Sequence, residues 1–454
     1  MNKKILFIGG GILIVIILAI VLIVAFSGKP PEQSPKNGNG DENSDDGSFD
    51  QNEKITLTMW GLFDDSTVIQ PLIDSFNYKY PNVEIIYSKK DYADYETSLV
   101  DAIASDQGPD IFLIHNDWLP KHKNKLSPAP ENIISLEDYA ATITPSAYTD
   151  FVDNNKIYAL PFATDNLALI YNKELFKKAE ISVPPTTWED VLSYNKILTK
   201  KAIGDPTKIE TAGIALGTAG NVGRAGDVLL AIMLQNSTPI VSGDRNSYDF
   251  NQFRKDAEGI PRYPGTEALE FYANFADPAK SSYSWNKDMG DPIKAFAEGK
   301  VAMLIGYSYF LPSIKRLNAS IDVQVSSMPQ IKGSLDPVTL ANYWGWGVSK
   351  ASARSEAAWE FLRFTGMDKD NSALERYLIA TQKISAKQDL NYYETGLKIF
   401  YQQADSAKTI YKKDSEKFDT IIIEMINDVV VNKQPYQSAI DVAAAKAREM
   451  LLGK

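Results

Sequence analysis

Chemistry on this chain has few residues to work with. His115 and His122 are the only imidazoles in 454 residues, and there is no cysteine at all. Disulfides, thiolate zinc sites and thiol nucleophiles are therefore ruled out. Seven apart with no clear third ligand, the two histidines make a poor metal pair, so no metal and no cofactor is expected. The signatures G-x-S-x-G, G-x-x-x-x-G-K-[ST] and H-E-x-x-H do not occur. Gly217-Thr218-Ala219-Gly220-Asn221-Val222-Gly223 is loosely glycine-rich, but it lacks phosphate-loop spacing and reads as a loop with unusual backbone angles. Glycoside hydrolysis needs only two carboxylates, which can lie far apart in sequence, so 58 acidic residues leave that chemistry open. The fuller resource is aromatic, with 23 Tyr and 7 Trp. Such rings fill cores and also stack on ligands. A net charge of -11 without a basic stripe argues against a nucleic-acid partner. The residue types favour binding over catalysis.

The amino end says where that binding takes place. After Met1-Asn2-Lys3-Lys4, residues 5–26 carry no charge and are rich in Ile, Leu and Val. At about 1.5 Å of rise per residue such a helix spans roughly 33 Å, enough for a hydrocarbon core of about 30 Å. Ala25-Phe26-Ser27 is a poor small-residue cut site, so residues 1–26 are expected to stay attached as a transmembrane anchor. The lysines before the span favour a cytoplasmic amino end, a single pass through the cell membrane and a body outside the cytoplasm. Residues 27–53 combine Pro30-Pro31, Pro35 and the run from Asn37 to Gly47, with almost no apolar content. They predict a flexible linker.

From Ile55 onward the pattern is α/β. Residues 55–60 alternate as a strand, and Val68, Leu72, Ile73 and Phe76 then take helical spacing. Residues 83–87 and 110–114 read as further strands, with a helix over 92–104 between them. Residues 168–171, 213–217 and 301–306 read as strands of a second set. Thr187 and Asp190 have the spacing of a capping box opening a helix. Alternation with short connections predicts a mostly parallel sheet with helices on both faces, and the length predicts two lobes. Ligands of such sheets bind beyond the carboxyl ends of strands, here near Trp60 and His115.

Four segments in order carry a resemblance. Residues 158–173, reading Tyr-Ala-Leu-Pro-Phe-Ala-Thr-Asp-Asn-Leu-Ala-Leu-Ile-Tyr-Asn-Lys, are followed by Pro184-Pro185-Thr186-Thr187-Trp188-Glu189. Gly108-Pro109-Asp110-Ile111 precedes them; Ala295-Phe296-Ala297-Glu298-Gly299-Lys300-Val301-Ala302-Met303 and Trp346-Gly347-Val348-Ser349 come after. The chain over about residues 54–450 resembles the family 1 extracellular solute-binding proteins, the maltose-binding-like components of ABC importers. The resemblance implies a type II periplasmic-binding-protein-like fold whose two α/β lobes close about a hinge. Lobe one would comprise 54–161 plus 325–348. Lobe two would comprise 165–322 plus 350–450, with the carboxyl-terminal helices packing in part across lobes.

The resemblance also implies a ligand and partners. The expected ligand is a neutral mono- or oligosaccharide, passed without chemical change to ABC permease subunits. Two alternatives stand beside it: a polyol or glycerol phosphate as ligand, and a sensory receptor coupled to a membrane kinase or chemoreceptor. By position Asp165 matches the acidic sugar contact of relatives, and Tyr309 matches their stacking aromatic. Trp344 is placed to reach the cleft, in competition with Tyr343 and Trp346, because strand alternation sends neighbours to opposite faces. Asn116 and Asp117 follow a strand where relatives place polar sugar contacts, and Trp60 and Asp64 end strand one. Asn221 and Arg224 are further candidates from lobe two, for which capping and solvation are ordinary alternatives.

Overall fold

The computed structural model describes Phe49 and residues 52–256, 259–369, 372–389 and 396–453. The expected anchor over residues 1–26 lies outside the described residues, as does most of the expected linker. Among the described residues no helix is long and apolar enough to cross a membrane.

Two five-stranded sheets carry the architecture. The first runs in the order Val83–Lys89, Ile55–Gly61, Ile111–His115, Trp344–Ser349, Leu126–Ser127. Its first three strands are parallel, and Trp344–Ser349 returns antiparallel, with Trp344 opposite His115. The second runs in the order Val323–Ser326, Ala168–Asn172, Val301–Gly306, Asp205–Ile214, Lys200–Ala202. Val301–Gly306 is buried at every position, as a strand covered on both faces should be, which is why it reads as one apolar run. The strand expected over 213–217 instead ends at Ile214. Gly217 lies beyond it at φ +102°, and a Cβ there would stand 2.6 Å from the Ala276 backbone nitrogen. That left-handed geometry, with no room for a side chain, turns the chain after the strand has ended.

Helices cover the sheets by the periodicity of their apolar residues. Ser66–Lys79 buries Ile69, Leu72, Ile73 and Phe76, and the Phe76 ring meets Phe361 edge to face at 5.2 Å. Trp188–Leu198 opens with the full capping box of Thr187 and Asp190. Such a cap contributes about 1 kcal/mol by satisfying two helix-end donors.

The core is double. One apolar cluster gathers Leu57, Phe76, Ile111, Tyr139 and Trp359; the other gathers Ile170, Trp285, Met303, Tyr307 and Phe418. The chain crosses between them repeatedly. Ala163–Thr164 pairs with Ile384–Ser385, Thr339–Leu340 pairs with Ala407–Lys408, and Asn166 bridges to Ala341. The packing differs from the sequence reading in two places. Val323–Ser326 joins the second sheet, whereas residues from 325 were expected in the first lobe. Ser355–Gly366 and Ser372–Thr381 pack into the first cluster, whereas 350–450 was expected in the second. Ser415–Val430 and Tyr436–Leu451 do pack on the second. An amphipathic helix shows that it has a face to bury but not which sheet will cover it.

Candidate ligand-binding cleft

A cavity of about 560 Å³ lies where the two sheets face each other across the crossings. That size is in the range of small-molecule sites. Its first-lobe wall is built from strand ends. Phe63 and Asp64 lie in the turn after Ile55–Gly61, His115 ends Ile111–His115, and Trp344 starts the returning strand beside it. Tyr92, Tyr377 and Lys383 complete this wall. Asp165, from a crossing, together with Arg224, Ser308 and Tyr309, forms the opposite side.

Aromatic rings dominate. Trp344 makes edge-to-face contacts with His115 at 5.0 Å, Trp118 at 5.1 Å and Phe63 at 5.7 Å. Across the cavity Tyr309 lies stacked on Tyr307, with centroids 5.7 Å apart and planes 16° apart, and is 46% exposed. Phe63 and Tyr92 are 48% and 63% exposed beside the Trp344 ring. Clustered exposed rings are costly on a monomer unless something covers them.

Every charged group on the walls has a protein partner. Lys383 Nζ donates to both Asp64 carboxylate oxygens at 2.7 and 2.5 Å, and the Tyr377 hydroxyl donates to Asp64 Oδ2 at 2.7 Å. Burial holds the Lys383 ammonium below the usual lysine range, against the opposing pull of Asp64. Arg224 binds Asp227 Oδ2 through two nitrogens at 2.7 and 2.6 Å, and Tyr307 donates its hydroxyl to the same oxygen at 2.8 Å. Arg224 holds φ +61°, a left-handed angle rare for a side-chain-bearing residue, at the start of the helix Ala225–Gln235. The His115 ring pairs through Nδ1 with Asp117 Oδ1 at 2.5 Å and through Nε2 with the Asn342 amide at 3.0 Å. The Asp165 carboxylate is surrounded by donors from Ser308 and Asn166, and its pKa is pushed up to about 7, chiefly by burial.

The structure brings Asp165, Tyr309, Trp344, Asp64, Tyr343, Trp346 and Arg224 to this cavity. Tyr343 and Trp346 are only 3% exposed, and the Tyr343 hydroxyl donates away from the cavity to Asp150 at 2.5 Å. Four expected residues stand elsewhere. Trp60 packs against the first core under Lys90, whose Nζ lies 3.8 Å from the ring centroid. Asn116 and Asp117 face a second, more polar cavity of about 440 Å³, where Asn116 donates to Asp150 and Asp117 meets Lys412. Asn221 donates its amide to the carbonyls of Asn286 and Gly290, closing a loop.

Sequence reasoning missed Phe63, Tyr92, Tyr377, Lys383 and Asn342. Phe63 adjoins a strand end and was open to discovery by that rule. Lys383 lies 319 residues from Asp64, and no spacing signals such a pair.

Fold and cleft together define a two-lobed α/β binding protein of type II periplasmic topology. The profile of the bacterial extracellular solute-binding protein family matches residues 61–366, and the chain belongs to that family. A maltotriose-binding protein of Pyrococcus abyssi is 26% identical over 302 residues, covering 65% of this chain and 59% of its own. The chain thus spans less than two thirds of that relative's length. The sn-glycerol-3-phosphate-binding periplasmic protein of Pectobacterium atrosepticum is 22% identical over 84% of this chain and 88% of its own. The crystallised sugar-binding protein MalE of Xanthomonas citri superposes with a TM-score of 0.72 at 16% identity, over 88% of this chain and 98% of its own.

Proposed function

We propose that this protein captures a neutral saccharide between its lobes and delivers it unaltered to an ABC permease. One observation carries the reading: aromatic rings from both lobes line the cavity while each wall charge is already matched within the protein. A sugar offers flat apolar faces for such rings and hydroxyls for paired donors and acceptors. A phosphate-bearing ligand would need unmatched cationic donors, and Lys383 and Arg224 are both committed to carboxylates. The glycerol phosphate alternative is therefore the weaker one, despite the Pectobacterium relative.

Hinge closure around the ligand would follow from the crossings, with Tyr309 and Trp344 as the stacking pair. The body is proposed to work outside the cytoplasm, tethered through residues 1–26 and a linker over 27–53. Calorimetry against maltotriose, mannobiose, polyols and sn-glycerol-3-phosphate tests the ligand class. Binding of only the phosphate, or of no saccharide, would reject it. Recovery of intact sugar after long incubation tests the absence of catalysis. Amino-terminal sequencing of membrane-extracted protein tests the tether, which a mature terminus after Phe26 would rule out.

A further inference from the structure

We propose that Asp165 is a positioning residue, which sets Tyr309 against Trp344 by holding the Ser308 turn and does not itself bind the ligand. The inference rests on the reading of the cleft as the ligand site, and it changes the role expected for this carboxylate.

Both carboxylate oxygens are held by protein donors. Its Oδ1 accepts from the Asn166 N–H at 2.8 Å and the Ser308 N–H at 3.1 Å. Its Oδ2 accepts from the same Ser308 N–H at 3.0 Å and from the Ser308 hydroxyl at 2.7 Å. The donors are three, the Ser308 N–H being shared between both oxygens of a carboxylate with about four lone-pair sites. A ligand hydroxyl would have to compete with these donors to reach it.

These bonds fix the residue immediately before Tyr309. The turn then continues through the Phe310 N–H donating to the Tyr307 carbonyl at 3.0 Å, and so into the helix Phe310–Leu317. On its other side Asp165 accepts at its backbone carbonyl from the Asn342 N–H at 3.0 Å, two residues before Trp344. One residue therefore touches both the segment carrying the lobe-one ring and the turn carrying the lobe-two ring. Ring stacking depends steeply on offset and tilt, so a turn that drifts weakens binding without losing any ligand contact at residue 165.

Two measurements on the full-length protein test this. In the ligand-free state, Asp165→Asn turns an amide NH2 toward the Ser308 donors and should speed exchange of the Ser308 and Tyr309 amides about tenfold. Amides within Val301–Gly306 should keep their wild-type rates. Ser308→Ala, which removes one donor, should give a smaller increase and guards against misfolding of the first variant. Unchanged exchange in both variants would overturn the proposal. In calorimetry with maltotriose, Asp165→Asn should weaken binding about tenfold in the wild-type background and less than about twofold beside Tyr309→Ala. Equal losses in both backgrounds would place Asp165 on the ligand and sink the positioning role. Failure of every saccharide to bind would instead reject the cleft reading, with the exchange rates still deciding whether Asp165 holds the turn.

Discussion

Lys412 Nζ lies 3.0 Å from Asp117 Oδ2 and 2.7 Å from Asp419 Oδ1, so a single ammonium joins the two lobes. Asp117 follows a strand of the first sheet, while Asp419 sits on a helix packed in the second core. The Lys412 and Asp117 side chains are 7% and 4% exposed. Burial alone would raise the Asp117 carboxyl, but His115 and Lys412 outweigh it and hold the group well below the usual carboxylate range.

Removing that ammonium takes one of two partners from the buried Asp117 carboxylate, which keeps His115, and the partner of the partly exposed Asp419. Lys412→Met should therefore cost about 3–5 kcal/mol, the scale of a broken buried pair. Urea denaturation at pH 7 reads it directly. A loss below about 1 kcal/mol would mean that water reaches the pair in solution.

Two carboxylates should shape the acid side of the stability curve in opposite directions. Asp117 is depressed, so its contribution is full above the ordinary value near 3.8 and is lost as pH falls below it. Asp165 is raised from 3.8 to about 7, so its ionisation costs stability progressively as pH rises across that window. Asp150, likewise raised to about 6, adds to the same slope, so Asp165→Asn should flatten it in part, and Asp117→Asn should leave it in place. Chemical denaturation at intervals across pH 4–8 separates the two.

The stacking rings should differ in what they cost the fold. Replacing either Tyr309 or Trp344 by Ala removes a central face and should weaken saccharide binding by about 2 kcal/mol or more, roughly thirtyfold. Tyr309 is half exposed, so its loss should barely move the melting temperature. Trp344 touches several rings of the first lobe, so its loss should lower the melting temperature as well. Saccharide affinity unchanged in both variants would remove the rings from the site.

Charge matching at Asp64 can be broken deliberately. Asp64→Asn takes away the carboxylate that opposes the effect of burial on Lys383, so an anionic ligand would take over the role of counter-ion to that amine. Affinity for sn-glycerol-3-phosphate at low salt should then rise at least about tenfold, while a neutral saccharide loses some binding. Equal phosphate affinity in wild type and variant would show that pairing does not set ligand class.

Local chemistry was legible in the sequence wherever it is governed by neighbours along the chain. Alternation placed the strand at Ile55–Gly61, the unbroken apolar run at Val301–Gly306 marked a covered strand, and Thr187 with Asp190 announced a helix start. Motifs in order gave the family, and with it Tyr309 and Trp344 as candidate cleft residues. Tertiary structure alone decided which lobe each late helix joins, because an apolar stripe shows the same pattern whichever sheet buries it. It alone decided that Asn116 and Asp117 turn to a second cavity, since residues at one strand end can face either side of the crossings. The pairs Asp64 with Lys383 and Asp117 with Lys412 are likewise tertiary facts. Hydrogen bonds and ion pairs act over about 3 Å of space, and a distance of some three hundred residues along the chain leaves no local trace of them.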